Sequence, residues 1–177
     1  DMQFKPNIVT YGRGGFVFAF IQREGGKANI YLRRSEDGVS FSKPVRVNDL
    51  AGDAAVRNEN PPKVAIGKRG EIFVCWASER EKWKGNIRFS RSLDGGRTFS
   101  KAISLNSDAA QPPVGHAFQS IAVDSRGAVY VAWIDERNKT RESRGAEIWM
   151  ARSINAGATF GRDWKAISDV CECCRTN

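Results

Sequence analysis

The ten residues "SLDGGRTFSK" at 92–101 decide the fold, because the chain says nearly the same thing three times. "SEDGVSFSK" stands at 35–43 and "SINAGATFGR" at 153–162. In the central copy Asp94 can accept hydrogen bonds from backbone N–H groups of its own turn. Gly95 and Gly96 permit the positive φ that tight turns need. Thr98 can bond locally, and Phe99 returns the chain to the core. The stretch therefore reads as a structural turn, with Asp37, Asp94 and Asn155 in corresponding places.

More than the turn repeats. Before each copy lies a strand ending in a charged loop: "FVFAFIQRE" (16–24), "IFVCWASER" (72–80) and "VYVAWIDER" (129–137). A shorter strand with an Arg-Gly turn precedes it: "NIVTYGRGG", "KVAIGKRGE", "SIAVDSRGA". A third strand leads into the repeated turn ("NIYLRRS", "NIRFSRS", "EIWMARS"), and a fourth follows it ("PVRVND", "AISLNS", "KAISDV"). Each unit is four short strands joined by hairpins, and no segment of helical period competes. In "IFVCWA", Ile72, Val74 and Trp76 point one way and Phe73, Cys75 and Ala77 the other. Both faces are apolar, so both must be covered. Four-stranded sheets packed face to face around an axis achieve this. The expected fold is all-β, a β-propeller with about three blades, at 1–50, 51–108 and 109–170. Residues 171–177 read as the start of a further blade or a tail.

The pattern Ser-x-Asp-x-Gly-x-Thr-Phe resembles the Asp-box, or bacterial neuraminidase repeat, of sialidase-like propellers. Ser92, Asp94, Gly96, Thr98 and Phe99 match it fully. The first copy (Ser35, Asp37, Ser40, Phe41) is one residue short, and the third (Ser153, Asn155, Gly157, Thr159, Phe160) carries Asn for Asp. The resemblance covers nearly the whole chain. It bears on fold more than on function, because such repeats occur in enzymes and non-enzymes alike. It implies closure with more blades than three, so further blades are expected from missing sequence or from another chain. The chain opens without a leading methionine and is expected to be a fragment or a processed product.

Composition narrows the function. Apolar content of 41% and charged content of 27% suit a globular chain, and no run approaches the length of a membrane span. The formal charge is +8, but the basic residues are scattered, so neither nucleic acid nor a membrane is the expected partner. A glycan or a protein is.

Up-and-down topology puts the repeated turns and the Arg-Gly turns at one end. The longer second-to-third loops and the crossovers between units share the other end, where function is expected. Glu79, Arg80, Asp135, Glu136 and Arg137 stand there and could grip a polar or anionic ligand; local ion pairing at strand ends is the competing reading. The sialidase resemblance implies three arginines, an Asp acid and a Tyr–Glu pair. Phe4-Lys5-Pro6 lacks the family's first arginine. Arg57 and Arg80 are possible ligands, and Tyr11, Tyr31 and Tyr130 lie on strands of ordinary pattern, so no catalytic residue is assigned. Cys75 reads as a small buried residue. Cys171, Cys173 and Cys174, with His116 in the preceding crossover, suit a soft metal, copper or zinc; disulfides in an exported protein are the alternative. The resulting expectation is a secreted or periplasmic binding or scaffold propeller recognising a glycan or protein through its loop-rich face. The alternatives are the N-terminal part of an exo-sialidase or other glycoside hydrolase, and a cysteine-rich metal-binding propeller.

Overall fold

A computed structural model describes residues 3–12, 14–56, 60–82, 84–140 and 145–171. Twelve strands and no helix occur among them. They form three four-stranded antiparallel sheets, each a meander. The first blade holds β1 (Gln3–Tyr11), β2 (Gly15–Glu24), β3 (Lys27–Ser35) and β4 (Val45–Arg46). The second holds β5 (Lys63–Ile66), β6 (Ile72–Ala77), β7 (Ile87–Ser92) and β8 (Ile103–Ser104). The third holds β9 (His116–Val123), β10 (Val129–Asp135), β11 (Ala146–Ser153) and β12 (Trp164–Val170). The architecture is that of a partial β-propeller, as the repeat implies.

The alternation along β6 organises the core. All six of its residues are buried. Ile72, Val74 and Trp76 join Val17, Ala19, Ile21, Ile30 and Leu32 of blade one. Phe73, Cys75 and Ala77 join Val129, Val131, Trp133 and Ala151 of blade three. Cys75 is a free thiol, fully enclosed, and its burial pushes its pKa up.

The repeated turns carry the bonds that their sequence suggests. The Ser92 hydroxyl donates to Asp94 Oδ1 (2.7 Å) and accepts from the Gly96 N–H (2.8 Å). Asp94 also accepts from the Arg97 and Thr98 amides and from the Thr98 hydroxyl. The hydroxyls of Ser92 and Thr98 hold its pKa below the ordinary range. In the first copy the Ser40 and Val39 amides hold Asp37 at about 2. In the third, Asn155 Oδ1 takes the Ser153 hydroxyl and the Thr159 amide, while its Nδ2 donates to Thr159 Oγ1. Asn therefore closes the same turn without charge.

These turns also join blades. Arg34 at the end of β3 donates from Nη1 to the Gly95 carbonyl of the next blade (2.6 Å). Arg91 at the end of β7 does the same to the Ala156 carbonyl (2.8 Å). A side chain at Gly96 would press on Leu32 and Ile72, and one at Gly157 on the Phe89 ring. Positive φ and close approach to the preceding blade thus both call for glycine there.

Ser92→Ala is expected to lower stability by about 1–3 kcal/mol, because it strands the Gly96 amide in a buried turn. Chemical denaturation of the full-length protein measures this, and an unchanged midpoint would show that the turn is not a staple.

Candidate functional site

At the crossover end, the interface between blades two and three closes on charge. His116 opens β9, the innermost strand, and stands across from Asp135 at the end of β10. Its Nδ1 lies 2.7 Å from the Gly85 carbonyl, which fixes the ring orientation. Its Nε2 lies 3.3 Å from Asp108 Oδ1 and 3.2 Å from Asp135 Oδ2. Those contacts are close enough for charge attraction, without an aligned hydrogen bond. Asp135 Oδ2 also accepts from Trp133 Nε1 (2.8 Å), Arg137 Nε (3.0 Å) and Arg137 Nη2 (2.7 Å). The same Nη2 reaches Asp163 Oδ2 at 2.7 Å, and the guanidinium lies 3.8 Å from the Trp149 ring centre. Asn106 holds Asp108 from one side and the Asn86 side chain from the other. Its charged members, Asp108, His116, Asp135, Arg137 and Asp163, come from four segments of chain.

Its members set one another's protonation. Burial works against a charged His116, yet the approach of Asp108 and Asp135 prevails and raises the imidazole from 6.5 to about 9. Burial would raise Asp135, but His116 and Arg137 hold its carboxyl well below the usual range. Asp108 is lowered in the same way, burial being outweighed by His116 and Asn106. At neutral pH Asp108 and Asp135 therefore stand as carboxylates beside an imidazolium and a guanidinium, and neither keeps a proton to give. Asp108, His116 and Asp135 bring three donor atoms within 4.8 Å, a spacing that could hold a metal ion. Arg137 already supplies the cation to Asp135, however, so the set fits a closed ion network better than a metal centre.

The loop-face residues of the sequence divide. Asp135 is fully enclosed and Arg137 nearly so, and the two bond each other. These two belong to the interface between blades two and three. Arg80 is exposed, with Nη1 on the Ala109 carbonyl (3.0 Å). Glu79 is half-buried, and Glu136 is half-buried with its amide on the Gly115 carbonyl. His116 is placed on a strand and not in the crossover. Val170 ends β12 opposite Ala146, at the far edge of the same sheet from His116. Three strand spacings separate those edges, about 14 Å. Cys171 beyond it is disulfide-bonded. The structure therefore does not bring His116 and Cys171 together as a soft-metal pair. Cys173, Cys174 and Arg57 lie outside the described residues.

Two of the tyrosines are paired with glutamates. Tyr11 donates its hydroxyl to Glu36 and Tyr31 to Glu24 (2.7 Å). Burial and these carboxylates raise the pKa of both phenols. Asp163, which completes the charge cluster, carries no repeat signal. Nor do Lys5 (φ 57°) and Phe118 (φ 53°), which sit where the registers of β1 and β9 shift.

No family model matches the sequence, and no curated protein matches it. Solved structures do match in fold. A protein of unknown function from Dyadobacter fermentans aligns with TM-score 0.64 and 19% identity over 92% of this chain and 50% of its own. A Hadza microbial sialidase aligns with TM-score 0.60 and 19% identity over 94% of this chain and 38% of its own. The α-L-arabinofuranosidase Arb93A of Fusarium graminearum aligns with TM-score 0.65 and 12% identity over 94% and 49%. The chain thus spans half or less of these structures. At such identities the likeness is one of fold.

The raised His116 pKa sets a pH dependence. A folded-state value above the unfolded one stabilises fully below about 6.5, and the gain is lost as pH rises through about 9. The melting temperature is expected to fall across that window, and in His116→Gln that part of the slope should vanish. Melting curves at a series of pH values check this; equal slopes in both proteins would contradict it.

Proposed function

We propose that this chain is part of an exported β-propeller that binds a glycan at its crossover face and does not itself cleave it. The observation carrying this reading is the enclosure of Asp108 and Asp135 between His116 and Arg137. Glycoside cleavage of the common type needs one carboxyl group that keeps its proton. Asp108 and Asp135 are held as carboxylates by His116 and Arg137. Around them Glu79, Arg80 and Glu136 offer charged groups of both signs, suited to orienting hydroxyl or acidic sugar groups. The names of the fold neighbours support a carbohydrate ligand: a sialidase, an arabinofuranosidase, a polysaccharide lyase bound to a glucuronate–sulfated rhamnose segment, and a family-43 glycoside hydrolase. The disulfide at Cys171 supports an oxidising compartment, the periplasm or the exterior.

Further blades, from more sequence or a second chain, complete the ring in this reading. Blade three exposes Trp164 (41%) and Ile167 (52%) on β12, and blade one carries Phe16, Phe18 and Phe41 in edge-on contact. The second reading, the N-terminal part of a sialidase or related hydrolase, draws on one fact. The chain fits inside 38% of the sialidase and 49% of the arabinofuranosidase, so catalytic groups could come from blades beyond it.

Affinity electrophoresis of the full-length protein through sialylated, arabinan and uronate-containing polysaccharides separates the two, with reducing-sugar release measured in parallel. Retardation without release is expected, weakened about tenfold by Arg80→Ala with Glu136→Ala, through lost charge-assisted bonds. Sugar release would establish the hydrolase reading, and absence of retardation on every polymer would sink the glycan one.

A further inference from the structure

The repeated-turn end carries a feature that the crossover face does not explain. A cavity of about 460 Å³ opens there between blades two and three. Lys68 and Arg69 come from the β5–β6 turn, Arg126 from the β9–β10 turn, and Asn155 from the third repeated turn. Phe73 and Ile154 supply apolar wall. Glu71 is the carboxylate among the lining residues, and its Oε2 accepts the Arg69 amide. The three cations are exposed.

The walls are tied together. Lys68 Nζ crosses the cleft to the Ser125 carbonyl (3.1 Å), the residue before Arg126. On the other side, Arg91 clamps the Ala156 carbonyl and so positions Asn155. Lys68 and Arg126 are therefore held on facing turns by a bond between blades.

Asn155 adds an independent observation. The corresponding residues of the other two turns are Asp37 and Asp94. The turn does not require Asn, because the acceptor oxygen does the same work in all three copies, taking the Ser hydroxyl and a following amide. What the third copy lacks is a negative charge, and it lacks it at a residue that lines a cavity holding three cations. An Asp there would neutralise part of the field.

We propose that this cavity binds an oxyanion, a carboxylate or sulfate group, gripped by the forks of Arg69 and Arg126 and the ammonium of Lys68. Ile154, 77% exposed at the rim, gives an apolar surface for the carbon skeleton that bears the anion. The source is an acidic polysaccharide segment or a free inorganic anion, which share this chemistry. The site is at the opposite end of the blades from the crossover face and stands or falls separately from it.

Titration calorimetry on the full-length protein at constant ionic strength tests the assignment with three probes: inorganic sulfate, oligogalacturonate and neutral dextran. Saturable binding of oligogalacturonate or sulfate is expected, with none of dextran. Asn155→Asp should weaken it roughly five- to tenfold, as a carboxylate placed among the cations at moderate screening would. Its melting temperature should hold, since Asp closes this turn in the other two copies. Lys68→Gln and Arg126→Gln should weaken binding similarly, whereas Lys101→Gln, an exposed cation outside the cavity, should not. Equal binding of sulfate and oligogalacturonate would identify a free anion as sufficient; binding of the oligomer alone would identify the polysaccharide. The proposal is overturned if Asn155→Asp binds like the unaltered protein, if Lys101→Gln loses as much as Lys68→Gln, or if neither anion binds.

Discussion

A strand that is apolar on both faces cannot be satisfied by its own sheet, and β6 is such a strand. Trp76 faces blade one and Phe73 faces blade three. Burial of each ring contributes about 1.5–3 kcal/mol over leaving it in water. That stabilisation exists only if a neighbouring sheet lies against each face. The blade is thus not a unit that folds and then associates; stacking is the condition under which it folds at all. The alternation that buries Val17, Ala19 and Ile21 of β2 against blade two also leaves Phe16 and Phe18 on its other side.

Apolar stacking is non-directional and would allow blades to slide over one another. Polar contacts at the ends of each interface set the register. At the repeated-turn end an arginine from one blade grips a carbonyl of the next. Along the inner strands, Asn7 takes the Val64 amide and Gln119 donates to the Pro61 carbonyl. At the crossover end between blades two and three, buried charge does the same work. Burying charges costs several kcal/mol each unless their partners are complete. The Asp108–His116–Asp135–Arg137–Asp163 network therefore favours one arrangement of the two blades strongly over its neighbours.

The fold was legible because it is written in short-range periodicity. The three turns and the two-faced β6 needed only local sequence, and the sheets follow them. The arginine bridges were half visible: "RRS", "SRS" and "ARS" place Arg before each Ser, but only the stacked blades show that it reaches the next turn. The charge cluster was not legible, since its members come from four segments whose meeting depends on how blades two and three dock. His116 drew notice as the lone histidine, yet reading it as part of a crossover gave it the wrong neighbours. Four residues of difference in where β9 begins, at His116 and not at Ser120, put the histidine opposite Asp135 and far from Cys171. Asp163 carries no motif, and the positive-φ Phe118 lies inside a strand whose sequence shows no break, whereas Lys5 is followed by Pro6.

The two ends of the blade-two and blade-three interface treat charge in opposite ways. At the crossover end, carboxylates and cations are enclosed together, and their protonation is fixed by mutual contact. That end holds its shape through those contacts. At the repeated-turn end, Lys68, Arg69 and Arg126 face solvent, Glu71 is the carboxylate lining the cavity with them, and the turn beside them carries Asn in place of Asp. A repeat makes this contrast readable. Three copies of one turn share the same hydrogen-bond demands, so a difference among them that leaves those bonds intact lies outside the needs of the turn. Asn155 is such a difference. Its chemistry therefore belongs to whatever the turn faces, which is the basic cavity.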